Sequence, residues 1–247
     1  MSAITAIRTQ VEARLTGRMP AAFVQHRRPP MATIPSGIDD IDREIGGVPC
    51  GAITELVAAS FASSGQKTLQ AKLLACATQE HVCALIDATD SFDPKSAQAM
   101  GVNLRRLLWV RCSGRDMQAL EQAFQCADLV LQASGGFGVI AVDLSGVAPR
   151  FVRKVPLTTW FRFRGVIEKQ ETALIFSTSH TVTSTCSELV LRLAAKDVHW
   201  SQTAGKGPTH ARVFAGFDLE TEITRKRSFK KPVKSAARTL LTYPRWA

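Results

Sequence analysis

The 247-residue sequence contains no run of about eighteen apolar residues, the length a membrane-crossing helix requires. Its opening, MSAITAIRTQVEARL, breaks its apolar positions with Arg8, Glu12 and Arg14, unlike a secretory leader. The chain is therefore expected to be soluble, globular and cytoplasmic, with no membrane partner. Its six cysteines, at 50, 76, 83, 112, 126 and 186, never fall at C-x-x-C spacing, which argues against zinc and against a disulfide framework and leaves reduced core thiols. The histidines at 26, 81, 180, 199 and 210 are scattered and suggest no metal-ligand set. No Ser, Cys and His grouping points to nucleophilic catalysis, and no internal repeat is visible. Acidic residues are missing from 225 to 247, where eight basic ones stand.

That last absence belongs to an uneven charge. Residues 1–32 carry five basic and one acidic side chain and residues 205–247 carry ten and three, whereas 33–204 sums to −1 out of a net +10. A near-neutral body with basic ends suggests that the ends meet a polyanion or an acidic partner. The chain divides accordingly into an N-terminal helix and linker (1–33), a core (34–204) and a basic C-terminal extension (205–247). In the first part, Ile4, Ile7, Val11 and Leu15 recur at three- and four-residue steps and share one helix face, followed by a Pro- and Arg-rich connector.

The core alternates. IPSGIDDIDREIGGVPCG reads as a turn, a short helix with Ile38, Ile41 and Ile45 on one side, and a second turn. Apolar runs predict strands at AITELVA, VCALIDA (82–88), RLLWVRC (106–112), GVIAVDL (138–144) and TALIFSTS (172–179), with helices around 94–100, 116–133 and 156–170 between them. Buried apolar strands alternating with helices predict an α/β fold with a mainly parallel sheet covered on both faces. ELVLRLAAKDVHWSQ and ARVFAGFDLE alternate as strands do and could add an antiparallel edge.

Between the first of these strands and the next helix lies VAASFASSGQKTL, residues 57–69, which has the outline of a phosphate-binding loop without its glycines. A G-x-x-x-x-G-K-[ST] loop wraps phosphates in backbone N–H groups, with Lys on the β/γ phosphates and Ser or Thr on magnesium. With Lys67 and Thr68 as the Lys-Thr pair, Phe61 and Gln66 stand at the glycine positions. With Gly65 as the second glycine, Ser60 takes the first, Gln66 the lysine and Lys67 the hydroxyl position. Either register fails, because a Cβ at the glycine positions crowds the phosphates or demands a positive φ.

The segments IPSGIDDIDREIGGVPCGAITELV, ALIDATDSFDPKSAQAMGVNLRRLLWVRC, QALEQAFQCADLVLQASGGFGVIAVDLSG and TALIFSTS follow one another as the core segments of the RecA recombinases do. The resemblance covers about residues 34–195, and Asp-Pro followed by AQAMGVNLRRLLW is its most specific stretch. It implies a RecA-like three-layer core. It also places Asp143 where the family keeps an Asp near magnesium, Thr89 where the water-activating glutamate sits, and Ser179 where a glutamine senses the γ-phosphate. The mobile DNA-binding loop after the last of these strands is reduced to about HTVTSTC. Short RecA-like chains with failed phosphate loops and basic tails resemble the ImuA-type accessory proteins of mutagenic translesion synthesis, and more distantly the SulA-type division inhibitors.

The resemblance implies a non-catalytic accessory protein of the SOS response with three kinds of partner: RecA, DNA held through its phosphates, and two polymerases. One polymerase is an inactive Y-family relative and the other an error-prone enzyme of replicative type. The alternatives are a divergent DNA-dependent ATPase and a SulA-like division inhibitor. Ser64, Gly65, Lys67, Thr68 and Asp143 are the vestigial nucleotide-binding candidates, with ATP and magnesium doubtful and no cofactor expected. Arg150, Arg153, Lys154, Arg162 and Arg164, interleaved with aromatics, and Arg225, Lys226, Arg227, Lys230, Lys231, Lys234 and Arg238 in the tail are the DNA- or partner-binding candidates. The face of Ile4, Ile7, Val11 and Leu15 is the RecA-docking candidate. Trp160 and Phe163, at i, i+3 spacing, are assigned to core packing. The tail, with like charges and few apolar residues, is predicted to be disordered until bound.

Overall fold

A computed structural model describes residues 31–59, 64–133, 136–200, 214–226 and 233–235. The chain enters through β1 (Thr33–Ile34), α1 (Asp39–Ile45) and β2 (Val48–Pro49), which pairs antiparallel with β1. Ile41 and Ile45 bury one side of α1, and Gly46, at φ 68°, ends it by returning its N–H to the Asp42 carbonyl. Then follow β3 (Ala52–Ala58), α2 (Gln66–Glu80), β4 (Val82–Asp87), α3 (Pro94–Ala99), β5 (Leu107–Arg111), α4 (Met117–Gln132) and β6 (Phe137–Asp143). After β6 come α5 (Pro149–Val152), α6 (Leu157–Ile167), β7 (Ala173–Thr178), β8 (Leu189–Trp200), β9 (Phe214–Lys226) and β10 (Val233–Ser235).

Eight of these strands form one sheet in the order β10-β9-β8-β3-β7-β6-β4-β5. From β8 to β5 every neighbouring pair is parallel, and β9 and β10 are added antiparallel beside β8. The α/β three-layer expectation therefore holds, and the antiparallel edge begins at β9 rather than at β8.

Strand parity divides the core. On β4 and β6, Cys83, Leu85, Val139 and Ala141 face α1 and α2, where they meet Leu69, Leu73 and Leu74. Their alternates Ala84, Ile86, Ile140 and Val142 face α4 and α6. On this second side Phe124, Trp160, Phe163 and Phe176 form a ring cluster, with Trp160 edge-on to Phe176 at 5.0 Å. Trp160 and Phe163 are fully buried, as their helical spacing predicts.

The tail begins differently from the prediction of disorder. Phe217, Leu219 and Ile223 keep β9 packed on the α2 side of the core, so its pairing with β8 runs on to Lys226, and β10 pairs with β9 in turn. Arg225 and Lys226 are thus strand residues. Arg225 Nη1 donates to the Ser184 carbonyl, and Lys226 Nζ to the Ile45 carbonyl at 2.6 Å. Lys234 lies in β10, while Arg227, Lys230, Lys231, Arg238, Ser60, Phe61, Ile4, Ile7, Val11 and Leu15 lie outside the described residues.

Candidate functional site: a phosphate loop closed by its own side chains

The site lies at the carboxyl ends of the parallel strands, where open α/β sheets place their ligands. Parity brings its carboxylates together. Asp87 ends β4 and Asp143 ends β6, the two are register partners, and both continue the alternation that faces α2. Helix α2 starts here, directly after Gly65 in the left-handed conformation at φ 73°. That backbone decides between the two loop registers: Gly65 is the second glycine, so Gln66 occupies the lysine position and Lys67 the hydroxyl position.

Gln66 is 3% exposed, and its side chain reaches the ends of two strands. Nε2 donates to the Leu56 carbonyl at 2.5 Å and to the Thr178 carbonyl at 3.0 Å, joining the ends of the adjacent strands β3 and β7. Lys67 points the other way. Its ammonium forms an ion pair with Asp143 Oδ2 and donates to Ser91 Oγ at 2.7 Å. The Lys67 side chain is 45% exposed and Asp143 only 3%. Withdrawal of the ammonium from water nevertheless lowers its pKa to about 8, with the charge of Asp87 acting in the opposite sense.

Both carboxylates accept hydrogen bonds from neighbours. Asp87 accepts from the N–H groups of Thr89 (3.1 Å), Ser91 (3.0 Å) and Phe92 (2.9 Å) and so shapes the turn after β4. Asp143 Oδ1 accepts from Ser145 N at 3.0 Å and Ser145 Oγ at 2.7 Å. Thr89 directs its hydroxyl at Ser91 Oγ, 2.7 Å away, and has no carboxylate to offer a water. Ser179 is 3.1 Å from His180 Nδ1. Asp90, beside Thr89, is held in an exposed bidentate pair with Arg111.

These residues do not fit a magnesium–nucleotide complex. The side chain in the lysine position is tied to backbone carbonyls, and an ammonium stands against the carboxylate a metal would approach. A Cβ on Gly65 would lie 2.6 Å from Leu219 Cδ1 and 2.7 Å from Phe217 Cε2, so the start of α2 packs closely against β9. The adjoining cavity, lined by Lys67, Thr68, Gln70, Phe92 and Asp143 among others, has a volume of about 150 Å³. Small-molecule pockets begin at roughly 300 Å³. Of the predicted nucleotide residues, Ser64, Gly65, Lys67, Thr68 and Asp143 are indeed neighbours, with Ser64 Oγ accepting from Gln66 N at 3.4 Å.

Glu55 was not anticipated. It sits in the middle of β3, fully buried on the α4 side of the sheet, and holds down the segment after β7. Oε1 accepts from Thr178 Oγ1 at 3.1 Å and Val182 N at 2.8 Å, and Oε2 from Thr183 Oγ1 at 2.5 Å and Thr183 N at 3.4 Å. Burial raises its pKa despite these hydrogen bonds, which pull the other way. A carboxylate inside AITELVA, an otherwise apolar run, was the available signal. The short segment that stands for the family's mobile DNA loop is thereby anchored to the sheet.

The predicted basic cluster separates into two groups. Arg162 pairs with Asp128 at 2.8 Å, and Arg164 with Glu168 at 2.7 Å. Arg150, Arg153 and Lys154 lie on α5 and the turn after it, and make no ion pair among the described residues. Arg150 stacks over Phe151 at 4.7 Å. The charge of Arg153 reaches His180, whose pKa is lowered first by burial and then by that charge.

A parallel sheet flanked by helices, with a loop-to-helix turn and strand-end carboxylates at its carboxyl edge, defines the phosphate-loop class of α/β proteins. The model of the RecA N-terminal domain matches residues 4–152, and the chain belongs to that family. Among curated relatives, it is 36% identical over 112 residues to Protein RecA of Psychrobacter cryohalolentis, covering 45% of this chain and 30% of that one. It is 39% identical over 113 residues to Protein RecA of Francisella philomiragia subsp. philomiragia, covering 44% and 29%. The matched region thus spans less than a third of the length of these relatives. No helix among the described residues is long and apolar enough to cross a membrane.

Proposed function

We propose that this chain is a non-catalytic RecA-like accessory protein of the ImuA type, serving SOS-induced mutagenic translesion synthesis by binding RecA, DNA and polymerase partners. One observation carries the reading: the two side chains that would serve a nucleotide are bonded within the protein, Gln66 to the ends of β3 and β7 and Lys67 to Asp143. A RecA-like body that keeps the sheet but fills the loop acts by contact. The turn of Arg150, Arg153 and Lys154, which makes no ion pair among the described residues, is its DNA-facing element, the N-terminal face of Ile4, Ile7, Val11 and Leu15 its RecA-facing one, and the basic extension serves DNA or the polymerases. The inactive Y-family relative and the error-prone replicative-type polymerase enter through the likeness to ImuA-type proteins alone.

Calorimetry with ATP and magnesium tests the central claim. The expected result is no measurable heat at millimolar nucleotide, and no phosphate release with single-stranded DNA present. Micromolar ATP binding, or turnover abolished by Lys67→Ala, would establish the divergent ATPase instead.

A further inference from the structure

Two carboxylates buried side by side at the ends of adjacent strands need a counter-charge. Asp87 is fully buried and Asp143 is 2% exposed, and the two are register partners on β4 and β6. In a phosphate loop with a hydroxyl after its lysine, that hydroxyl and the strand-end carboxylate face the divalent ion that arrives with the nucleotide. Here the hydroxyl position holds Lys67, whose Nζ touches Asp143 Oδ2 and Ser91 Oγ, while Ser91 N in turn donates to Asp87. Arg111, at the end of the neighbouring strand β5, is engaged with Asp90 on the solvent side.

We infer that the Lys67 ammonium is a tethered cation that occupies the place of the divalent ion and holds the Asp87–Asp143 end of the sheet together. The inference deepens the non-catalytic reading and rests on it, but its test contains no nucleotide, so the two can fail separately. Three consequences distinguish a tethered cation from an ordinary surface lysine. Wild type should be indifferent to divalent ions. Removing the ammonium should expose a site that a divalent ion fills, because the oxygens of Asp143 and Ser91 remain and a threonine adds another. Removing the charge of Asp143 as well should remove the carboxylate such an ion would bind, leaving Asp87 to the backbone N–H groups of Thr89, Ser91 and Phe92.

The experiment compares the full-length wild type, Lys67→Thr and the double variant Lys67→Thr/Asp143→Asn in EDTA and in manganese chloride. It reads thermal midpoint and Mn2+ binding by electron paramagnetic resonance. The expected results are a wild-type midpoint unchanged up to 5–10 mM Mn2+, on the order of a hundredfold excess over protein. Lys67→Thr should melt several degrees lower in EDTA, recover with Mn2+ and bind about one ion, and the double variant should be insensitive to metal and more stable in EDTA than Lys67→Thr. If Lys67→Thr is insoluble in EDTA, recovery by Mn2+ or by the second substitution supports the inference equally. It is overturned if wild type binds or is stabilised by Mn2+, if Lys67→Thr melts like wild type in EDTA, or if neither Mn2+ nor Asp143→Asn restores what Lys67→Thr loses.

Discussion

Glu55 gives the most discriminating test of how the segment after β7 is held. Replacing it by Ala removes the acceptor for two hydroxyls and two backbone N–H groups. The hydroxyls can turn elsewhere, since Thr183 Oγ1 already lies 2.5 Å from Ser187 Oγ, but the N–H groups of Val182 and Thr183 cannot. At about 1–3 kcal/mol for each of the two N–H donors left without a partner, Glu55→Ala should lose roughly 2–6 kcal/mol. Glu55→Gln keeps Oε1 for Thr178 and Val182, but its amide nitrogen can only donate to the Thr183 hydroxyl and no longer accepts the Thr183 N–H, so at low pH it should cost about 1–3 kcal/mol, less than Glu55→Ala. The pH dependence adds a sign. Burial raises the Glu55 pKa, so between its unfolded and folded values the native state binds more protons than the unfolded chain. Its contribution is therefore complete below the unfolded value and lost as pH rises through the raised folded one. Urea unfolding from pH 4 to pH 8 should show Glu55→Gln gaining on wild type as pH increases, with the Thr183 amide exchanging faster in both variants and the Val182 amide only in Glu55→Ala. A difference between Gln and wild type that is flat in pH, or that favours wild type at high pH, would refute the account of a desolvated carboxylate.

Two predictions concern the proposed contacts. Arg153→Ser/Lys154→Ser should weaken binding to single-stranded DNA without changing the fold and lower the slope of log affinity against log salt by about 1.4, two phosphate contacts at roughly 0.7 each; an unchanged slope removes this turn from the interface. Ile7→Asp/Val11→Asp should abolish retention by immobilised RecA at unchanged circular dichroism, because charge at an apolar contact costs several kcal/mol; a folded variant that still binds RecA, or a wild type that never does, ends the docking proposal.

The sheet was legible because its strands are buried on both faces and read as apolar runs broken by helical periods. GVIAVDL and TALIFSTS became β6 and β7 within a residue or two of the expected bounds. Helix α5 was missed because Pro149–Val152 is one turn long, too short for any periodicity to appear. The start of the tail was misread because composition averages over position. Arg225 and Lys226 belong to a basic segment by count, but to β9 by the alternation of Phe217, Leu219 and Ile223 just before them.

The site was legible only as a loss. Sequence shows that the loop is spoiled in either register, by Phe61 and Gln66 in one and by Ser60, Gln66 and Lys67 in the other, but not where the side chains go once it is spoiled. Direction comes from combining two geometries that a linear reading keeps apart: the point at which α2 begins and the parity that turns Asp87 and Asp143 toward it. With Gly65 as the last loop residue, the cation of the lysine position is gone and one returns a single residue later. One residue on a helix is a rotation of about 100°, enough to move a charge from a loop's phosphate side to the strand-end carboxylates. The two substitutions are therefore complementary. Gln66 closes the gap between β3 and β7 without a charge, and Lys67 supplies the charge to the one place, beside Asp143, where a buried carboxylate still requires it.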